Sequence, residues 1–114
     1  MQAIVYGKVP SKSNGYRIGN NRLYKSKELH QYEESFRLQT ITLSKGIDFE
    51  FGISIQVYFQ SNRSDLDNAA KVILDCLQSN GIITNDRLCL RLEMDKHIDK
   101  INPRIEFEIY GITK

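Results

Sequence analysis

Tryptophan is absent, and prolines and cysteines are scarce, two of each in 114 residues. Two cysteines at positions 76 and 89 have no zinc-ligand spacing, and so small a number does not suggest a disulfide-stapled scaffold. Cys76 falls on the apolar arc of a predicted helix and reads as a buried free thiol. Cys89 is expected on the polar face of a strand. No apolar run is long enough to span a membrane, and no charged-then-apolar leader opens the chain, so a cytoplasmic protein is the default expectation. Repeats, low-complexity tracts and linkers are also missing, which leaves residues 1–114 as one domain of ordinary globular composition, 40% hydrophobic and 26% charged.

Acidic residues are missing from one region only. Residues 1–27 hold Lys8, Lys12, Arg17, Arg22, Lys25 and Lys27 and no acid, whereas the other 87 residues carry 10 basic and 14 acidic side chains. A basic segment beside an acidic body is an asymmetry that polyanions sense. A solubilising basic terminus is the plainer reading. Within this segment residues 10–25, PSKSNGYRIGNNRLYK, read as a long basic loop interleaved with Tyr16 and Tyr24, with a hairpin at Gly19-Asn20-Asn21.

Hydrophobic periodicity supplies the elements. Residues 3–8 form a short strand. Ser26 caps a helix over 27–44, with Leu29, Tyr32, Phe36 and Leu43 at helical spacing and Gly46 as its stop. Residues 48–60 alternate strictly, with Phe49, Phe51, Ile53, Ile55, Val57 and Phe59 on one face. Residues 66–79 form a second helix, and 88–97 and 104–110 are strands joined by a turn at Asn102-Pro103. The order β-α-β-α-β-β makes a two-layer α+β domain, a four-stranded sheet with two helices on one face. The other sheet face carries Asp48, Glu50, Glu93, Asp95, Glu106 and Glu108 and is a poor partner for a polyanion. His30 and His97 are expected at the surface.

The stretch SDLDNAAKVILDCLQSNGIITND, residues 64–86, concentrates the chemistry. Leu66, Ala69, Ala70, Ile73, Cys76 and Leu77 share one helical arc. Asp67, Lys71 and Asp75 recur at i, i+4, i+8 on the opposite arc, which on its own is a solvated ladder. Asp65 and Asp67 are alternate in sequence where a loop enters the helix, and such a pair repels itself unless a cation intervenes. Hard divalent ions such as Mg²⁺ take carboxylate oxygens. The helix is ~20 Å long at 1.5 Å per residue, and residues 80–86 reach at most ~24 Å. After a reversal at Asn80-Gly81, Asp86 is therefore able to return beside Asp65 and Asp67. Three carboxylates and one lysine would suit metal-assisted phosphodiester cleavage. A noncatalytic DNA-binding module using the basic loop, or a small protein-interaction domain using the polar sheet face, are the competing readings.

The same stretch resembles the signature of the RusA family of Holliday junction resolvases. Asp65-x-Asp67-Asn68, Lys71, Asp75, Gly81 and Asp86 match it, and the opening GKVP turn, basic loop, Tyr24 and following helix are loosely similar. The resemblance implies a homodimeric, Mg²⁺-dependent endonuclease that cuts four-way DNA junctions by paired nicks in recombination and repair, frequently of phage or prophage origin. It puts the essential acids and metal ligands at Asp65, Asp67 and Asp86 and the essential lysine at Lys71. Asn68 and Asp75 would support them, and Lys8, Lys12, Arg17, Arg22, Lys25 and Lys27 would hold DNA. Family members often carry two adjacent acids at the end of the motif; here Asn85 precedes Asp86.

Overall fold

The computed structural model describes residues 1–10, 16–19 and 22–113, with the backbone alone for 16–19 and 22–24. In chain order the elements are β1 (Gln2–Tyr6), β2 (Tyr16–Gly19), β3 (Arg22–Lys25), α1 (Lys27–Gln39), β4 (Phe51–Phe59), α2 (Leu66–Ser79), a single 3-10 turn (Asp86–Leu88), β5 (Cys89–Ile98) and β6 (Arg104–Gly111). The α+β reading holds: one sheet has the order β1-β6-β4-β5, and a separate hairpin pairs β2 with β3. That hairpin occupies much of the expected loop 10–25, with Gly19 opposite Arg22. Its turn residues Asn20 and Asn21 lie outside the described residues, as does Lys12.

β4 is the centre of the sheet. Its alternation buries Phe51, Ile53, Ile55, Val57 and Phe59 in one cluster with Leu29, Tyr32 and Phe36 of α1, with Ile73, Cys76 and Leu77 of α2, and with Ile105, Phe107 and Ile109 of β6. Each such side chain contributes about 1.5–3 kcal/mol when fully removed from water. Phe49, expected in the same row, is instead 52% exposed, because β4 begins two residues later and Phe49 turns toward Gly111.

α1 starts as its sequence indicates, with the Ser26 hydroxyl accepting from the Leu29 amide at 3.2 Å. It stops earlier than expected, at Gln39 rather than at 44. The Thr40 hydroxyl and amide both donate to the Phe36 carbonyl, at 2.8 and 3.0 Å, and close the last turn. Gly46, with φ +83°, bends the connection into β4 instead of ending the helix.

β5 runs parallel to β4, whereas β6 is antiparallel to it. A β4–α2–β5 unit with parallel strands requires α2 to carry the chain back along the sheet. Gly81 at φ +73° reverses the chain after α2. Ile82 and Ile83 then enter the core, and Ile83 bridges Ile47 in parallel. The pairing shifts between Phe51 and Gly52, opposite Cys89 and Arg91. This bulge turns Cys89 to the same side as Phe51, half-buried against the core, and not to the polar face expected for it.

Candidate nuclease site

Asp65 is the N-cap residue of α2, with extended backbone (φ −103°, ψ 137°), yet its side chain makes no capping hydrogen bond. Asp67 lies in the first turn, and one of its oxygens accepts from the Asn68 amide at 3.0 Å. Both acids are exposed. An uncapped carboxylate at a helix start forgoes a favourable local partner, and that of Asp65 is left facing solvent. The loop leading to it is held from β5: the Lys96 ammonium donates to the carbonyls of Asn62 and Ser64 at 2.9 and 2.6 Å. Lys96 shares the side of β5 that faces the helices with Leu92 and Met94, opposite Val57. A lysine in an apolar phase was the signal of this role in the sequence.

Asn68 reaches across to the chain's start, its side-chain amide donating to the Pro10 carbonyl at 2.9 Å. Val9 and Pro10 are buried there. The basic segment therefore departs from beside Asp65 and Asp67. It returns through Lys25, which pairs with Glu33 of α1 at 2.7 Å. Lys8 and Lys27 are exposed. Arg17 and Arg22 are in the hairpin strands, where the backbone alone is described.

Asp86 is elsewhere. Its amide donates to the side chain of Gln78, in the last turn of α2, at 2.8 Å. Gln78 is ~16 Å along the axis from Asp67 at 1.5 Å per residue. The expected return of the chain beside Asp65 and Asp67 does not occur. Parallel pairing of β5 with β4 fixes the start of β5 near the start of β4, and residues 82 and 83 are spent on the core and the Ile47 bridge. Among the described residues no group of three or more His, Cys, Asp or Glu side chains is placed to hold a metal ion. Asn85 explains its own departure from a second acid: its side chain caps the 3-10 turn, accepting from the Arg87 amide at 3.0 Å.

Lys71 is exposed one turn after Asp67, and the Asp67–Lys71–Asp75 ladder is not realised as ion pairs: none of those among the described residues includes Lys71. Asp75 still feels several charges. Desolvation holds its carboxyl above the ordinary aspartate range, opposed by Lys71 and Lys25 and reinforced by Asp86 and Glu33. The histidines stay out of this site: His30 is exposed, and His97 stacks on Tyr58 at 4.6 Å on the far sheet face.

In donor chemistry Asp65 and Asp67 suit a hard divalent ion, which is commonly held by one or two carboxylates together with substrate phosphates. In one chain the third acid is missing from that end. No helix among the described residues is long and apolar enough to cross a membrane. No curated protein matches the chain. The family model for endodeoxyribonuclease RusA matches residues 7–110, from the turn after β1 to the last residues of β6, and the chain belongs to that family of DNA endonucleases.

Proposed function

We propose that this chain is a Mg²⁺-dependent endonuclease that resolves four-way DNA junctions in recombination and repair, working in the cytoplasm as a homodimer of single-domain chains. The observation that carries the reading is the exposed, uncapped Asp65 beside Asp67, at the point where Asn68 anchors the basic segment. The ion would be held by Asp65, Asp67 and an Asp86. Since one chain keeps Asp86 at the other end of α2, the Asp86 in question is that of the second copy.

Bound Mg²⁺ supplies an activated water and neutralises charge on the phosphate. The chain's own groups do the rest. Lys71, one helical turn from Asp67, sets a positive charge beside the cleaved phosphate. Asp75, one turn further along α2, adds electrostatic attraction to Lys71, and Asn68 fixes the departure of the basic segment. Lys8, Lys12, Arg17, Arg22, Lys25 and Lys27 hold flanking phosphates, contacts that position DNA without reading its sequence. Two equivalent sites on a two-fold axis suit a junction with two equivalent strands.

The test uses labelled four-way junction with wild type, Asp67→Asn, Asp86→Asn and a co-expressed heterodimer of the two variants. Wild type should nick in Mg²⁺ and not in EDTA, and each variant should bind without cutting. In the heterodimer one of the two sites keeps all its acids, so nicking of one strand should return. Binding without cleavage by wild type, on junctions, flaps and forks alike, would replace this reading with a noncatalytic DNA-binding module. A silent heterodimer would place all three acids within one chain.

A further inference from the structure

β1 ends the sheet on the side away from β5, hydrogen-bonded among the described strands to β6 alone. Its ladder fixes which backbone groups look outward. The Met1 ammonium donates to the Ile109 carbonyl at 2.9 Å, and the Ile109 amide donates back to the Met1 carbonyl at 2.8 Å. Antiparallel pairing alternates, so Ala3 and Val5 repeat this exchange with Phe107 and Ile105. The amides and carbonyls of Gln2, Ile4 and Tyr6 therefore point away from the sheet. At Tyr6 they are already taken. The Gln39 side chain accepts from the Tyr6 amide and donates to the Tyr6 carbonyl, both at 2.8 Å, in the slot a next strand would use. Among the described residues nothing bonds the outward groups of Gln2 and Ile4.

The side chains beside this open stretch select what it can take. Ile4 is 45% exposed on the sheet face away from the helices. An open groove runs next to it, between Gln2 and Ile4 of β1 and Ser54 and Gln56 of β4, with Glu106 and Glu108 of β6. Acids outnumber bases on this face. Glu108 takes a hydrogen bond from the Gln2 amide, Asp95 one from Gln56 and Glu93 one from the Tyr110 hydroxyl, all neutral donors. Of the bases, Arg104 is spent on Asp99 and Glu106, and Arg91 lies level with Gly52, at the start of β5. A second groove meets the first at Gln2 and Glu108 and is lined by the apolar Ile47, Phe49 and Ile109.

We infer that the open stretch of β1 at Gln2 and Ile4 docks an extended segment of a partner protein that carries lysine or arginine. The segment adds a short strand outside β1 and lays a cationic side chain over Ile4 toward Glu108. Main-chain bonds give such additions their affinity, and side-chain pockets give them their choice of sequence. Gln39 stops the added strand before Tyr6, and Ile47 and Phe49 suit an apolar side chain at its other end. The surplus of carboxylates repels nucleic acid and attracts a basic segment. This surface lies across the sheet from α2, so a partner held there leaves Asp65 and Asp67 open. The proposal goes beyond the nuclease reading and does not depend on it.

The experiment reads peptide binding and not cleavage. Fluorescence anisotropy is measured on the full chain with a short labelled peptide of alternating lysine and valine. The controls are its glutamate counterpart and a copy N-methylated along one edge. The lysine peptide should bind at least tenfold more tightly than either control. Ile4→Pro removes an outward N–H and spares the β1–β6 ladder, so it should keep the fold by circular dichroism and weaken binding about tenfold or more. Glu108→Lys should weaken it to a similar degree, by placing like charges together. Asp67→Asn should bind as wild type does. In wild type the peptide should slow exchange of the Gln2 and Ile4 amides and leave that of Tyr6, already bonded to Gln39, unchanged. Equal affinity for the glutamate or the N-methylated peptide overturns the proposal. So does full binding by Ile4→Pro, or unaltered exchange at Gln2 and Ile4. Loss of binding in Asp67→Asn, or displacement of the peptide by four-way junction, would put the peptide in the nuclease site and overturn it as well.

Discussion

Replacing Lys96 by methionine removes a charge from a place where the backbone depends on it. The Lys96 ammonium donates to the Ser64 carbonyl at 2.6 Å, partly buried, and to the Asn62 carbonyl at 2.9 Å near solvent. It also lies 5.7 Å from the centre of the Phe59 ring. Methionine keeps most of the stem and its packing on Phe59 but offers no donor. A hydrogen bond to a charged group nets about 1.5–3 kcal/mol when shielded, and the exposed one adds at most a few tenths. The expected loss is about 2 kcal/mol, read as a lower urea midpoint with unchanged m-value. The amides of residues 62–68 should exchange faster than those of the β4–β6 core. Because the loop sets the entry of Asp65 and Asp67 into α2, a displacement of ~1 Å there would cost cleavage up to about a hundredfold. That loss should appear in kcat and leave KM for the junction nearly unchanged, since the basic segment is untouched. A methionine variant with wild-type midpoint, exchange and kcat would refute the assignment of Lys96 as the clamp of this loop.

Two further outcomes follow from groups around α1 and α2. Desolvation raises the Asp75 carboxyl despite Lys71, so its protonated form is favoured by folding; that contribution is complete below the ordinary aspartate value and lost as pH rises through the raised one. Asp75→Asn should therefore unfold at an equal or higher denaturant concentration than wild type at neutral pH, and the difference should vanish in acid below both values. A lower midpoint for Asn at neutral pH would mean that attraction to Lys71 outweighs desolvation. The Tyr32 hydroxyl is buried with no hydrogen-bond partner among the described residues, and burial drives its pKa upward. Tyr32→Phe removes that unpaired group and should stabilise the fold by about 1 kcal/mol in urea unfolding; a loss of the same size would show that the hydroxyl has a partner.

Much of the fold was legible because it is written locally. The alternation of Phe51 to Phe59, the Ser26 cap and the Asn80-Gly81 reversal each state their structure within a few residues. What was not legible depends on residues far apart. Leu43 keeps the helical phase of α1, but Thr40 closes the helix before it is reached. The phase of β5 reads correctly from Leu92 onward, but the bulge at its start is set by Phe51 and Gly52 across the strand pair. The site divides in the same way. Asp65, Asp67 and Lys71 were readable from spacing on one helix. The clamp by Lys96 and the anchoring of Asn68 to Pro10 cross between elements, and only the out-of-phase lysine hinted at either.

The position of Asp86 shows why chain length alone was insufficient. Residues 80–86 are long enough either to run back along α2 or to start a new strand beside β4. The choice is made by the pairing of β5. Parallel strands on either side of a helix put whatever precedes the helix at one end of the unit and whatever precedes the second strand at the other. Asp65 and Asp67 belong to the first group and Asp86 to the second, so a motif continuous in sequence is divided in space. The parallel β4–α2–β5 topology is thus what separates the acids within one chain.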